Sequence, residues 1–77
     1  MGLLNMRIAK QQLTKEETEL WNYIVKRWVE TGQIPLRTEM ANALNVSPQL
    51  AQHRLKRMQV KGWLVLLPNK KRNILLR

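Results

Sequence analysis

Residues 37–62 read RTEMANALNVSPQLAQHRLKRMQVKG, and their pattern is two helices with a tight turn between them. From Arg37 to Leu44 the apolar residues Met40, Ala41 and Leu44 recur on one face of a short helix. Asn45 follows, one of the few residue types besides glycine that enters the left-handed backbone region readily and so ends a helix. Val46 is placed to fill the corner. Ser47 offers a hydroxyl to the free amides of a new helix, and Pro48 occupies its first position, where a missing N–H costs nothing. The new helix is expected over 48–61, ending at Lys61-Gly62. Two helices joined this closely form a helix-turn-helix.

Upstream, Thr14 and Glu17 have the spacing of a capping box, in which the hydroxyl accepts an orphan amide and the carboxylate reaches back to the cap. Glu16, Glu17 and Glu19 fall in the first turns, where the helix dipole favours negative charge. Leu20, Trp21, Ile24, Val25 and Trp28 then recur at helical spacing, and Gly32 is a natural stop, so a first helix is expected over 15–30. That spacing assigns Trp21 and Trp28 to the core rather than to a stacking surface. Gln33-Ile34-Pro35 is too short for more than a β-bridge. Downstream, WLVLL (63–67) and NILL (73–76) are strand-length apolar runs separated by PNKKR (68–72), which predicts a β-hairpin with a cationic tip. The expected fold is mainly α with a small antiparallel β-hairpin, a three-helix winged helix-turn-helix spanning 13–77, preceded by an N-terminal arm over 1–12.

Charge is unevenly distributed along the chain. The net charge is +9, yet no carboxylate side chain follows Glu39, whereas Arg54, Lys56, Arg57, Lys61, Lys70, Lys71, Arg72 and Arg77 all do. A surface tuned only for solubility would mix signs; one cationic half suits a polyanion on one side of the molecule. Without cysteine the chain has neither a disulfide framework nor thiolate ligands, and no metal or other cofactor is expected. No apolar run approaches the ~20 residues of a membrane span, and the amino terminus lacks the long apolar stretch of a secretory signal. A cytoplasmic, nucleoid-associated protein is expected. Catalysis is not: His53 is the only histidine and there is no aspartate.

Stepping about 100° per residue along 48–61 places Ala51, Leu55 and Met58 on a narrow core seam. Opposite it lie Gln49, His53, Lys56 and Val60, with Gln52 on one flank and Leu50 and Arg57 on the other. The second helix of a helix-turn-helix enters the major groove and meets base edges with its first residues. Glutamine can donate and accept in one plane against adenine, histidine can donate to guanine, and leucine can touch a thymine methyl. Gln49, Leu50, Gln52 and His53 are therefore the expected base contacts. Ser47, Arg37, Lys56 and Arg57, with Lys70, Lys71 and Arg72 of the wing, are the expected contacts to the DNA backbone or minor groove.

From Leu13 onward the chain resembles the DNA-binding domain of the LexA repressor family. The residues that carry the resemblance are L-T-x-x-x-x-E (13–19), T-G-x-x-P (31–35), R-x-E-x-A-x-x-L (37–44), S-P (47–48), L-K (55–56) and K-G (61–62). The resemblance implies a winged helix whose third helix reads operator DNA through Ser47, Gln49, Leu50, Gln52 and His53. The sequence departs from the family where Asn45 replaces a usual glycine and where Gln52 and His53 replace acidic residues, so the family's operator is not carried over. The family's self-cleaving serine–lysine domain has no counterpart after the wing, so no enzyme is expected. The combined expectation is a small bacterial or phage transcriptional regulator, of repressor type, that binds double-stranded DNA. A homodimer through Leu3, Leu4, Met6 and Ile8 of the arm is a further expectation. A protein-interaction adaptor or an RNA-binding winged helix, the latter exposing Tyr23 or Trp63 for stacking, are the rival readings.

Overall fold

The computed structural model describes residues 10–68 and 74–77. It contains α1 (Lys15–Thr31), α2 (Arg37–Leu44), α3 (Pro48–Val60), β1 (Leu64–Leu66) and β2 (Ile74–Leu76), in that order. This is the winged helix-turn-helix expected from the sequence, with helix boundaries within one residue of those read from the caps. The arm residues Leu3, Leu4, Met6 and Ile8 and the wing-tip residues Lys70, Lys71 and Arg72 lie outside the described residues.

Local chemistry explains each boundary. The Thr14 hydroxyl accepts from the Glu17 amide at 3.2 Å, and the Thr14 amide donates to Glu17 Oε1 at 2.9 Å. At the other end of α1, Gly32 adopts φ +75° while its amide donates to the Trp28 carbonyl. The start of α2 has no hydroxyl cap; instead Glu39 reaches back, its Oε1 accepting from the Leu36 amide at 2.6 Å. Asn45 sits at φ 58°, ψ 46°, the left-handed stop that its residue type allows. Ser47 Oγ accepts from the Leu50 amide at 3.1 Å, and Pro48 opens α3. Gly62, at φ +91°, then turns the chain so that the Trp63 amide reaches the Met58 carbonyl at 3.0 Å.

The core lies where the three helices and the hairpin meet. Leu20 and Ile24 of α1, Met40 of α2, Leu55 and Met58 of α3, Leu64 of β1 and Ile74 of β2 form one buried cluster. Ala51, Leu55 and Met58 are fully buried, which fixes the rotation of α3 about its axis and turns its opposite face outward. In the hairpin, Leu64 pairs with Leu76, Val65 with Leu75 and Leu66 with Ile74. Alternation then directs the first and last pairs onto the core and leaves Leu75 exposed. Gln59 of α3 locks the hairpin from the side, its Oε1 accepting from the Leu66 amide at 2.6 Å.

One assignment changes. Trp21 packs on the core edge-to-face with Trp63, their centroids 5.2 Å apart, but Trp28 is 50% exposed and is not a core residue. The last fully buried side chain of α1 is Ile24, so the apolar stripe runs on past the elements that cover its first half. In the segment 33–35, Pro35 is buried. Ahead of α1, the chain is tied to the base of the wing: Gln11 donates to the Lys61 carbonyl at 3.0 Å and accepts from Trp63 Nε1 at 2.6 Å. Lys10 lies 4.6 Å from the Trp63 ring centroid and donates to the Arg77 carbonyl at 2.8 Å.

Candidate nucleic-acid interface

Once the Ala51–Leu55–Met58 seam is buried, α3 presents Gln49, His53 and Lys56 to solvent, with Gln52 half-buried beside them. These side chains, with Pro48 and with Arg37 from the start of α2, line an open concavity of about 590 Å³. The helix-turn-helix thus brings the uncharged amides of α3's first turns into one hollow with the cations Arg37 and Lys56. On the other flank, a second groove of about 300 Å³ is lined by Leu50, His53, Arg54 and Arg57 of α3 and by Thr14, Glu16 and Glu17 of the α1 start. His53 borders both hollows and forms the ridge between them. The helical-wheel assignment of flanks, Gln52 on one side and Leu50 with Arg57 on the other, matches this division.

Individual residues differ in availability. Leu50 is 38% exposed, an apolar side chain held at the helix's first turn by the Ser47 cap. The Ser47 hydroxyl spends its acceptor on that cap and keeps its proton for another partner. The carbonyl oxygen of Gln52 is buried with no hydrogen-bond partner among the described residues, so turning this amide outward into the concavity breaks no hydrogen bond of that oxygen. Lys56 is exposed, whereas Arg57, half-exposed, already donates from Nε to Glu17 Oε2 at 3.2 Å.

That last contact belongs to a cluster that the sequence did not reveal. Glu17 is 2% exposed, and its Oε1 also accepts from Lys61 Nζ at 2.6 Å. Burial on its own would raise the carboxyl pKa; the bonds from Lys61, the Thr14 amide and Arg57, with the Lys61 charge, outweigh burial and lower it from 4.5 to about 2. Arg57 in the last turn of α3 and Lys61 at its cap stand four residues apart, and that spacing is the only sequence signal for the cluster; their common partner lies 40 and 44 residues away. Of the aromatics, Tyr23 and Trp63 both pack partly buried against the core, and it is Trp28 that is exposed.

A helix-turn-helix followed by a two-stranded wing, with a cation-edged polar face on the second helix of the pair, defines a winged-helix nucleic-acid-binding domain. The family model described as the LexA DNA binding domain matches residues 10–73, and the chain belongs to that family. Comparison with curated proteins gives no match. As a member of a DNA-binding-domain family, the domain binds DNA. Among the described residues, no helix is long and apolar enough to cross a membrane, and no group of three or more His, Cys, Asp or Glu side chains is placed to hold a metal ion.

Proposed function

We propose that this domain is a sequence-specific reader of double-stranded DNA, a small transcriptional regulator of bacterial or phage type acting as a repressor. α3 lies in the major groove with its amino-terminal half against the base edges. Gln49 and Gln52 read adenine through the paired donor and acceptor of their amides, His53 meets a guanine edge, and Leu50 contacts a thymine methyl. Ser47, Arg37, Lys56 and Arg57 hold the sugar-phosphate backbone, and the wing cations Lys70, Lys71 and Arg72 reach the neighbouring backbone or minor groove.

The observation that carries this reading is the placement of uncharged hydrogen-bonding groups. Gln49, Gln52 and His53 line one open concavity at the start of a capped helix, together with Arg37 and Lys56. Phosphate contacts alone would need only cations there; uncharged amides sharing one hollow with cations suit base readout. Selection of bound duplexes from a random pool, followed by footprinting, tests it. A defined consensus protected over major-groove positions is expected, and a palindromic consensus would additionally require two copies of the domain. Recovery of unselected sequence would contradict it.

A further inference from the structure

Among the described residues Glu17 is the buried charged side chain, and each of its two oxygens has its own cation. The two cations are not equivalent. Lys61 is largely enclosed, its side chain 14% exposed, and bonds Oε1; Arg57 is 55% exposed and bonds Oε2. One enclosed ammonium is enough to neutralise one enclosed carboxylate, so the arginine is not needed for charge balance. Nor does a half-exposed ion pair add much stability. What the contact does is orient the arginine. It engages Nε, the inner edge of the guanidinium, and a planar fork held there keeps its two terminal nitrogens for a second acceptor.

The position of Arg57 indicates what that acceptor is. Arg57 lines the groove shared with Leu50 and His53, at the border of the face assigned to base reading. Arg54 lines the same groove and adds a second cation; Glu16, exposed at its α1 side, opposes them. An anionic oxygen of the DNA backbone alongside α3 fits a pre-oriented guanidinium at this border. We propose that Glu17, which lies in α1 outside the helix-turn-helix, is a positioning residue for DNA binding: it holds Arg57 so that its outer edge meets a backbone phosphate beside α3. The inference rests on α3 lying in the major groove.

A carboxylate next to DNA has an opposite effect if it only repels. Removing it would then tighten binding, because the net charge rises by one. Positioning predicts the reverse sign. The test is a titration of a mixed-sequence duplex over a range of salt concentrations with wild-type protein, Glu17→Gln, Arg57→Gln and the double variant, each corrected for its folded fraction by circular dichroism. Glu17→Gln should weaken binding by about three- to tenfold at low salt and make the log–log salt slope shallower by about one, since one phosphate contact is lost. In the Arg57→Gln background the same change should bring no further loss. Binding by Glu17→Gln that equals or exceeds wild type, an unchanged slope, or an equal loss in both backgrounds overturns the proposal. If Glu17→Gln does not fold, Arg57→Lys decides: it keeps the charge but lacks the planar fork whose inner edge Glu17 holds and whose outer edge is thereby aimed, so weaker, less salt-dependent binding is expected and wild-type behaviour overturns the role. A wild-type domain that binds no duplex at low salt overturns the major-groove reading and this inference with it, whereas wild-type binding with an indifferent Glu17→Gln overturns this inference alone.

Discussion

Glu17 shows how one side chain can serve a local and a distant purpose. As a third helical residue it completes a capping box, and this was legible from Thr14 three positions earlier. Its ion pairs with Arg57 and Lys61 were not, because they depend on how the α1 start docks on α3, and no spacing within either helix specifies that. The consequence appears in the pH dependence of stability. The carboxyl pKa is depressed in the fold, to about 2 from 4.5, so its contribution is complete above the unfolded value and disappears as pH falls through the folded one. Unfolding titrations between pH 7 and pH 2 should show this group's share of stability, about 3 kcal/mol, draining away below pH 5. Glu17→Gln should lose stability at pH 7 and show a flatter acid limb; an unaltered limb would mean that other carboxyls carry the acid sensitivity. The outward-facing residues of α3 were legible for a different reason. Once Ala51, Leu55 and Met58 are recognised as a seam, geometry alone sends Gln49 and His53 outward. The half-burial of Gln52 was not legible, because it depends on neighbouring side chains rather than on helical period.

Among the secondary-structure elements, terminal chemistry was the most readable feature. Thr14, Gly32, Asn45, Ser47-Pro48 and Gly62 act through bonds to residues at most five positions away, and each ends or starts an element where its residue type implies. The Ser47 cap carries extra weight because it orders the turn that presents Leu50 and Gln49. Ser47→Ala should cost about 1 kcal/mol in denaturant unfolding, with the loss concentrated in faster amide exchange at the first turn of α3. A loss below a few tenths would show that packing of Pro48 and Val46 holds that turn without the hydroxyl. Sequence pattern failed at Trp28, since period reports which residues share a face and not how far a neighbouring element extends along it. The Gln59–Leu66 bond, which clamps the hairpin to α3, was hidden likewise: a polar residue on a surface helix has no sequence mark that tells a clamp from a solvated side chain.

For the molecule as a whole, charge asymmetry and fold agree. Of the cations that follow Glu39, Arg54, Lys56 and Arg57 lie on α3, where Lys56 lines the concavity and Arg54 and Arg57 line the groove beside it. With some five or six phosphates neutralised, the log–log dependence of affinity on salt should have a slope of about −5, measurable by anisotropy titration. A slope near zero would mean that the cations do not face the duplex. Discrimination between base pairs by the amides of α3 is tested most directly by comparing the selected duplex with a scrambled one for a protein carrying Gln49→Ala and Gln52→Ala together. Binding to the selected site should weaken by about 1–3 kcal/mol per lost base contact while binding to the scrambled duplex stays unchanged. An equal loss on both duplexes, or no loss on either, would contradict base reading by this face.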